Sequence, residues 1–466
     1  MDKTTVQVYK SIQEMKLIYL VAKVLGLAPF SIKIDRDTNE DVNVKLTSNI
    51  GGIAASFVLF TTMLSGFVYT IIQPEFTTNS DPGDILCSVV SIPINYISTL
   101  ILVTMTLTVN RRKIEELVHK MVLIDEHLVH LRGRRTEGRK KRPLEFYLPI
   151  LALNVLFLCY DCFLWRQSIG LIFGISKRFS HLIAIVAKIH FFKAVLMIRS
   201  RLSGVERVLS LTLTEKSPHT KHLPTLAPGE RNDTNKVYYL TSNITQVASA
   251  EFLNDPLAFN VIRADAKPLS FTDTCKILNL RRIYNHLYEC TKIINSVFGY
   301  YILLDVCRTI TSLTSSLYSV ARLFNEPIDA VTNLDFSDFL LNRILWIIIF
   351  LGFTICLTVI CGSTVSKSKD IAHKIQTLLL KDYQRADVVE QLKLFSQQMS
   401  TDRVVFTAAG FFVIDLSVLC AFLTSVITYI IVLIQFKSRW FLPSPGSANT
   451  NRFINPAYIL VNDSSS

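Results

Sequence analysis

The chain has 466 residues, half of them hydrophobic, and its mean hydropathy is +0.36. This composition is too apolar for an ordinary soluble protein of that length. The formal net charge of +12 is typical of nucleic-acid-binding proteins, but here the positive residues are dispersed between long apolar stretches. We therefore predict no nucleic-acid partner.

Seven stretches are long and apolar enough to cross a membrane as helices, which takes about 20 residues. They are 51–72, 85–109, 146–165, 181–198, 294–318, 340–361 and 408–436. The fourth is the weakest, because it carries Lys188, His190 and Lys193. No basic start with a short apolar region precedes the first stretch, so we predict no signal peptide. The predicted fold class is an all-α membrane protein with seven transmembrane helices.

Positive charge alternates between the loops that join these stretches. Lys and Arg together number 7 in the N-terminus, 11 in the second loop, 13 in the fourth loop and 7 in the sixth. They number 0 in the first loop, 3 in the third, 1 in the fifth and 3 in the tail. Positively charged loops remain in the cytosol. The N-terminus is therefore predicted to be cytosolic and the C-terminus extracellular.

The predicted cytosolic loops carry helical extensions of the membrane segments. Apolar residues recur at helical spacing over 114–131, and a basic cluster over 132–142 is expected to meet anionic lipid headgroups. Helices are also predicted for 198–213, 271–295 and 363–405, and we expect the extensions to pack together. The predicted organisation is a cytosolic N-terminal segment (1–46), transmembrane helices 1–4 (47–213), a disordered cytosolic loop (214–268), transmembrane helices 5–7 (269–436) and an extracellular tail (437–466).

The last apolar stretch has a polar stripe. At about 100° per residue, Thr424, Thr428, Ile431 and Gln435 fall on one face of a helix. Polar side chains on a membrane helix need water or a partner, so the stripe either lines a conduit or joins helices together. The spacing alone leaves both readings open.

The sequence from Thr428 to Phe436, Thr-Tyr, five mainly apolar residues and Gln-Phe, resembles the C-terminal signature of insect gustatory receptors. Three further stretches resemble the same family: 22–29, 295–299 and 407–415. The first of these, with the long fourth loop, is most similar to the fructose-receptor branch. The resemblance covers both ends of the chain and its seven-segment plan.

The sequence carries no catalytic or metal-binding motif, and we expect no cofactor. The resemblance implies a seven-helix subunit of a homotetrameric or heterotetrameric, tastant-gated, nonselective cation channel. Neither an enzyme nor a G-protein coupling role is expected. The resemblance also implies the plasma membrane of gustatory neurons. On this account the last helix lines the pore, and Gln435 and Phe436 form its narrow part. Thr424, Thr428 and Ile431 line the pore further along, and Tyr429 is a motif residue. Asp415 lies opposite that face and is expected to cap the helix or contact a neighbour.

We expect the tastant to bind among polar and aromatic side chains in the outer half of the helix bundle. The candidates are Asn95, Tyr96, Asp161, Trp165, Tyr318, Arg343 and Trp346. Such a mixture suits a small sugar, fructose first, while an aromatic pocket with Asp161 facing a cation suits a bitter alkaloid. Trp165 also fits a membrane anchor, since Trp is enriched at membrane interfaces.

Two alternatives come from other functional classes. A secondary transporter would use His190, Lys193, Asp305 and Arg308 as a coupling site, although inverted repeats are not visible in the sequence. A metabotropic receptor would have its N-terminus outside the cell, which is the opposite of the topology predicted for this chain. Asp305 and Arg308, three residues apart, also fit a buried structural pair.

Overall fold

The computed structural model describes residues 23, 30–36, 42–72, 82–108, 110–132, 144–164, 171–214, 269–323, 336–380 and 386–440. Residues 215–268 of the predicted loop, the tail beyond residue 440, and Trp165 lie outside these ranges. So does the stretch 22–29, apart from Lys23.

The described chain is almost entirely helical. Its helices are α1 (Ile50–Ile72), α2 (Pro82–Thr108), α3 (Asn110–Arg132), α4 (Leu144–Leu164), α5 (Leu171–Thr214), α6 (Leu269–Leu323), α7 (Phe336–Leu379), α8 (Ala386–Thr401) and α9 (Leu416–Trp440). Two antiparallel hairpins complete it: β1 (Phe30–Arg36) with β2 (Val42–Ser48), and β3 (Thr407–Ala408) with β4 (Phe412–Val413).

All seven predicted segments overlap helices, which confirms the predicted all-α membrane fold. By length and apolarity, six of the described helices are able to cross a membrane, and α4 adds a shorter apolar stretch, Pro149–Leu164. The prediction for 408–436 is wrong at its start, because residues 407–413 form a hairpin and the helix begins at Leu416. The β1–β2 hairpin was not predicted, and its sequence alternates apolar with polar residues as strands do.

α6 is the central support of the bundle, and it packs against α2, α3, α5, α7, α8 and α9. Its buried residues recur at helical spacing, beginning with Ile277, Leu280, Tyr284 and Leu287. Two stretches that the sequence assigns separately, 271–295 and 294–318, are therefore one continuous helix. A displacement of α6 would therefore change the packing of the six helices that it contacts.

The helical extensions pack against one another, as predicted. Asp125 of α3 pairs with Arg201 of α5 at 2.5 Å, and Lys120 of α3 pairs with Glu289 of α6 at 2.5 Å. Glu206 of α5 forms ion pairs with two lysines of α7, at positions 367 and 374. These contacts join four helices beyond their apolar stretches. Which side of the membrane they occupy stays a prediction.

Candidate functional site

α9 is covered on one side only within a single chain. Among its side chains that the structure describes, up to Gln435, the buried ones are Phe422, Val426 and Leu433, which lie within about 40° of one another around the helix. Only 17% of the span Leu416–Gln435 is buried, the smallest share among the six membrane-length helices described. The rest of α9 is therefore available to lipid or to other protein chains.

The predicted polar stripe lies on the uncovered side. Thr424, Thr428, Ile431 and Gln435 are all exposed, and at about 100° per residue their mean direction is roughly opposite the buried face. The hydroxyl of Thr424 donates to the carbonyl of Cys420 at 3.0 Å, and that of Thr428 donates to the carbonyl of Thr424 at 2.9 Å. Both hydroxyl oxygens keep lone pairs that accept hydrogen bonds from the exposed side.

Three other features of α9 bear on its predictions. Tyr429 is 55% exposed, while Phe436 lies in the helix but its side chain lies outside the described part of the structure. Asp415 caps the helix, as predicted: its carboxylate accepts the N–H groups of Ser417 at 3.0 Å and of Val418 at 3.4 Å. The hydrogen bond from the Ser417 hydroxyl is the main reason that the pKa of Asp415 is lowered.

Two of the ligand candidates, Asn95 and Trp346, are connected through buried polar residues. Arg308 donates to the side-chain oxygen of Asn95 at 3.5 Å and contacts the Nδ1 atom of His181 at 3.1 Å. The ring of His181 lies 4.8 Å from that of Trp346, and Phe350 stacks on Trp346 at 5.3 Å. Residues of α2, α5, α6 and α7 thus meet in one polar and aromatic group.

Asp161 belongs to a second buried group. Its carboxylate accepts hydrogen bonds from Arg178 and from Asn342, both at 2.7 Å. Arg178 also donates to the backbone carbonyl of Asp161 at 2.9 Å. Arg178 therefore already provides Asp161 with a cation, the role that the alkaloid reading gives to the ligand.

Three of the remaining candidates make contacts elsewhere in the bundle. Tyr96 donates to Ser176 at 3.4 Å, and Tyr318 is buried beside Leu433 of α9. Arg343 lies 4.9 Å from the ring centre of Phe339. We find Tyr318 the most informative of these, because it links α6 to the helix that carries the polar stripe.

Some buried polar atoms in the described part of the chain lack a hydrogen-bond partner. They include the Asn95 amide nitrogen, the Thr314 hydroxyl and the Asn342 carbonyl oxygen, and these residues are 2%, 5% and 2% exposed. An unpaired buried polar group costs roughly 1–3 kcal/mol. Both asparagines adjoin the groups just described, so a polar molecule reaching them would recover part of that cost.

The proposed structural pair of Asp305 and Arg308 is confirmed, and both side chains are buried. Lys188 is a third member that the sequence did not suggest, with its ammonium 3.1 Å from Asp305. His190 instead contacts the backbone carbonyl of Val186 at 2.8 Å. A cavity of about 20 Å³, room for about one water molecule, lies beside Lys188 and Asp305 and reaches Phe422 of α9.

Comparison with known proteins identifies related sequences. The profile of the family described as 7tm Chemosensory receptor matches residues 15–439. Putative gustatory receptor 2a of Drosophila melanogaster is 24% identical over 178 residues, which are 34% of this chain and 41% of that protein. Putative gustatory receptor 28a of the same species is 23% identical over 359 residues, 73% of this chain and 74% of that protein.

Solved structures share the fold at low sequence identity. The insect olfactory receptor OR5 from Machilis hrabei aligns with a TM-score of 0.58 and 11% identity, over 92% of this chain and 99% of that chain. The same receptor in complex with eugenol aligns with a TM-score of 0.59 and 12% identity, over 93% and 100% of the two chains.

Proposed function

Because this chain belongs to the 7tm chemosensory receptor family, we propose that it is a gustatory receptor that works as a tastant-gated, nonselective cation channel. One observation carries the proposal: the polar stripe of α9 faces away from the helices that support it. A helix that lines a shared pore must present its polar side to its symmetry mates rather than to its own bundle. An interhelical packing stripe within one chain would instead be buried.

In the proposed assembly, four subunits surround a central pore, and each contributes α9. The subunits are either identical or related receptors. The oxygens of Thr424, Thr428 and Gln435 offer dipoles to a partly hydrated cation, and Ile431 forms a hydrophobic constriction. Gln435 and Phe436 form the narrow part. The membrane is the plasma membrane of gustatory neurons, with the N-terminus in the cytosol.

The proposed ligand site is the group around Trp346, Asn95 and Arg308, with a small sugar such as fructose as the ligand. The unpaired amide of Asn95 and the flat ring of Trp346 support a ligand that has both hydroxyl groups and C–H faces. A bitter compound is the second candidate, since the eugenol complex of OR5 contains an aromatic ligand. Tyr96, Asp161, Trp165, Tyr318 and Arg343 remain candidates for the same role.

Two measurements test the ligand and topology proposals. A calcium-imaging panel of fructose, glucose, sucrose and several alkaloids should give the strongest responses with a sugar. Responses to alkaloids with silence to every sugar would reverse the ranking. An epitope at the N-terminus should be labelled only after permeabilisation, and labelling of intact cells would contradict the proposed orientation.

Patch-clamp recording of pore variants tests the channel itself. Gln435→Ala should change conductance or ion selectivity with less effect on the midpoint of the ligand response, and Thr428→Ala should act similarly but more weakly. Ile434→Ala is the matched control, because Ile434 is exposed on α9 at roughly 100° from the stripe. Unaltered permeation in Gln435→Ala and Thr428→Ala, with reduced surface expression, would favour a packing role. Ligand uptake without currents would favour a transporter.

A further inference from the structure

The segment that leads into α9 is a tight hairpin. Its turn is closed by a hydrogen bond from the Phe411 N–H to the Ala408 carbonyl at 3.0 Å, and a second joins Ile414 to Phe406 at 2.9 Å. The central residues, Ala409 and Gly410, have φ values of 51° and 83°. Positive φ at both central positions is the geometry of a type I′ turn, whose twist matches that of the flanking strands, and three residues lie between the paired Ala408 and Phe412. The chain thus reverses direction immediately before α9 begins.

One face of α6 holds the first strand of this hairpin. The side-chain amide of Asn295 donates to the Val405 carbonyl at 2.8 Å, and its oxygen accepts the Thr407 N–H at 3.2 Å. A single side chain therefore occupies the backbone groups that a neighbouring strand would pair with. Asn295 thereby fixes the register of the hairpin along α6.

Gly299 lies one helical turn beyond Asn295, on the same face. A Cβ atom at Gly299 would lie 2.8 Å from the backbone nitrogen of Ala409 and 3.1 Å from its Cα atom. Because both opposing atoms belong to the backbone, any larger residue must displace the whole turn. By contrast, a Cβ at Gly352 or Gly362 of α7 would meet nothing within 4 Å.

The hairpin is also anchored by apolar side chains. Val404, Phe406, Ala408 and Ile414 are each at most 2% exposed, and the ring of Phe406 meets that of Phe191 edge to face at 6.3 Å. This alternation of buried residues is typical of a strand with one face on a core. The start of α9 is thus held firmly.

The same helix, α6, also reaches the far end of α9. Tyr318 is buried against Leu433, about three turns of α6 beyond the buried group of Asp305 and Arg308. α6 therefore contacts the hairpin that precedes α9 and the far part of α9, and it carries the ion-paired group between those contacts. A shift of α6 is transmitted to the start of α9 through the hairpin.

From this geometry we infer that Asn295 and Gly299 are positioning residues of the pore, which set the balance between its closed and open states through the hairpin. The inference rests on the proposed channel function. Neither residue lies on the polar stripe, so weakening the contact changes gating and leaves permeation unchanged. A role in folding alone would change the amount of channel at the surface but not its gating.

Whole-cell and single-channel recording of Gly299→Ala, Asn295→Ala and the control Gly362→Ala tests this inference, with fructose, sucrose and quinine as probes. Currents are normalised to surface labelling. We expect Asn295→Ala to shift the midpoint of the ligand response or the resting open fraction by at least about fivefold, the effect of losing one of its two hydrogen bonds in only one state. Gly299→Ala should shift the same quantities by displacing the turn. Unitary conductance and reversal potential should match those of the control.

The outcomes separate the inference from the proposed function. A wild type without ligand-evoked current would overturn the proposed function and the inference with it. If the wild type responds, but Asn295→Ala and Gly362→Ala have the same midpoint of the ligand response and the same resting open fraction, the inference alone is overturned. An altered unitary conductance in either variant would also overturn it. If Gly299→Ala fails to reach the surface, Asn295→Ala decides, because it removes side-chain atoms and adds none.

Discussion

Neutralising Asp305 should destabilise the helix bundle more than any conservative change at its surface. Asp305 is 5% exposed, and its carboxylate lies 3.1 Å from Lys188 and 3.2 Å from the Nε atom of Arg308. Asp305→Asn preserves the volume and leaves two buried cations without their anion. Removing one partner of a buried ion pair costs about 3–5 kcal/mol, a large part of the stability of a typical domain.

Thermal unfolding in detergent, followed by fluorescence-detected size exclusion, measures this effect. Asp305→Asn should lower the midpoint strongly, while the control Asp370→Asn, at an exposed position on α7, should change stability by less than about 0.5 kcal/mol. Combining Asp305→Leu with Lys188→Met and Arg308→Met should recover much of the loss, since apolar residues of similar volume replace buried ion pairs well. Equal melting of Asp305→Asn and the wild type would refute the reasoning.

Three further changes have defined outcomes. Trp346→Ala should abolish the response to the activating tastant when currents are normalised to surface labelling, and an unchanged dose response would return Trp346 to a packing role. Phe406→Ala should cost about 3–5 kcal/mol in a melting assay because its ring is fully buried, whereas Phe411→Ala, 76% exposed, should cost little. Asp415→Ala should cost about 1 kcal/mol by removing the cap of α9, and Asp415→Asn should restore most of it, as melting of both variants would show.

The apolar stretches predicted the helices because lipid-facing and buried helices both need long apolar segments. The polar stripe of α9 followed from a spacing of about 100° per residue, which left its exposure open. Capping was one of the two roles expected for Asp415. Helices were predicted for the outer parts of α5, α6 and α7, but not that 271–295 and 294–318 form one helix or that α7 ends at Leu379. Tertiary packing, not local apolarity, determines where these helices end.

Two features depended on contacts between distant parts of the chain. In the sequence, Lys188 served only as a reason to rank the fourth apolar stretch as the weakest membrane segment. Its ion-pair partner Asp305 could not be foreseen, because it is 117 positions away and on another helix. The stretch 407–415 was assigned to the last helix because it is apolar. Its hairpin requires Asn295 and the missing side chain of Gly299, both on α6. The sequence motifs at 295–299 and 407–415 are thus the two halves of one contact.

Cysteine modification along α9 tests the central claim, that its exposed stripe lines an ion pore, most directly. Thr428→Cys, Ile431→Cys and Gln435→Cys are compared with Ile434→Cys, all in a Cys420→Ser background because Cys420 is itself exposed. During ligand-evoked current, a charged methanethiosulfonate reagent should block the three stripe variants and spare Ile434→Cys. Block at Ile434→Cys with none at the stripe positions would contradict the account.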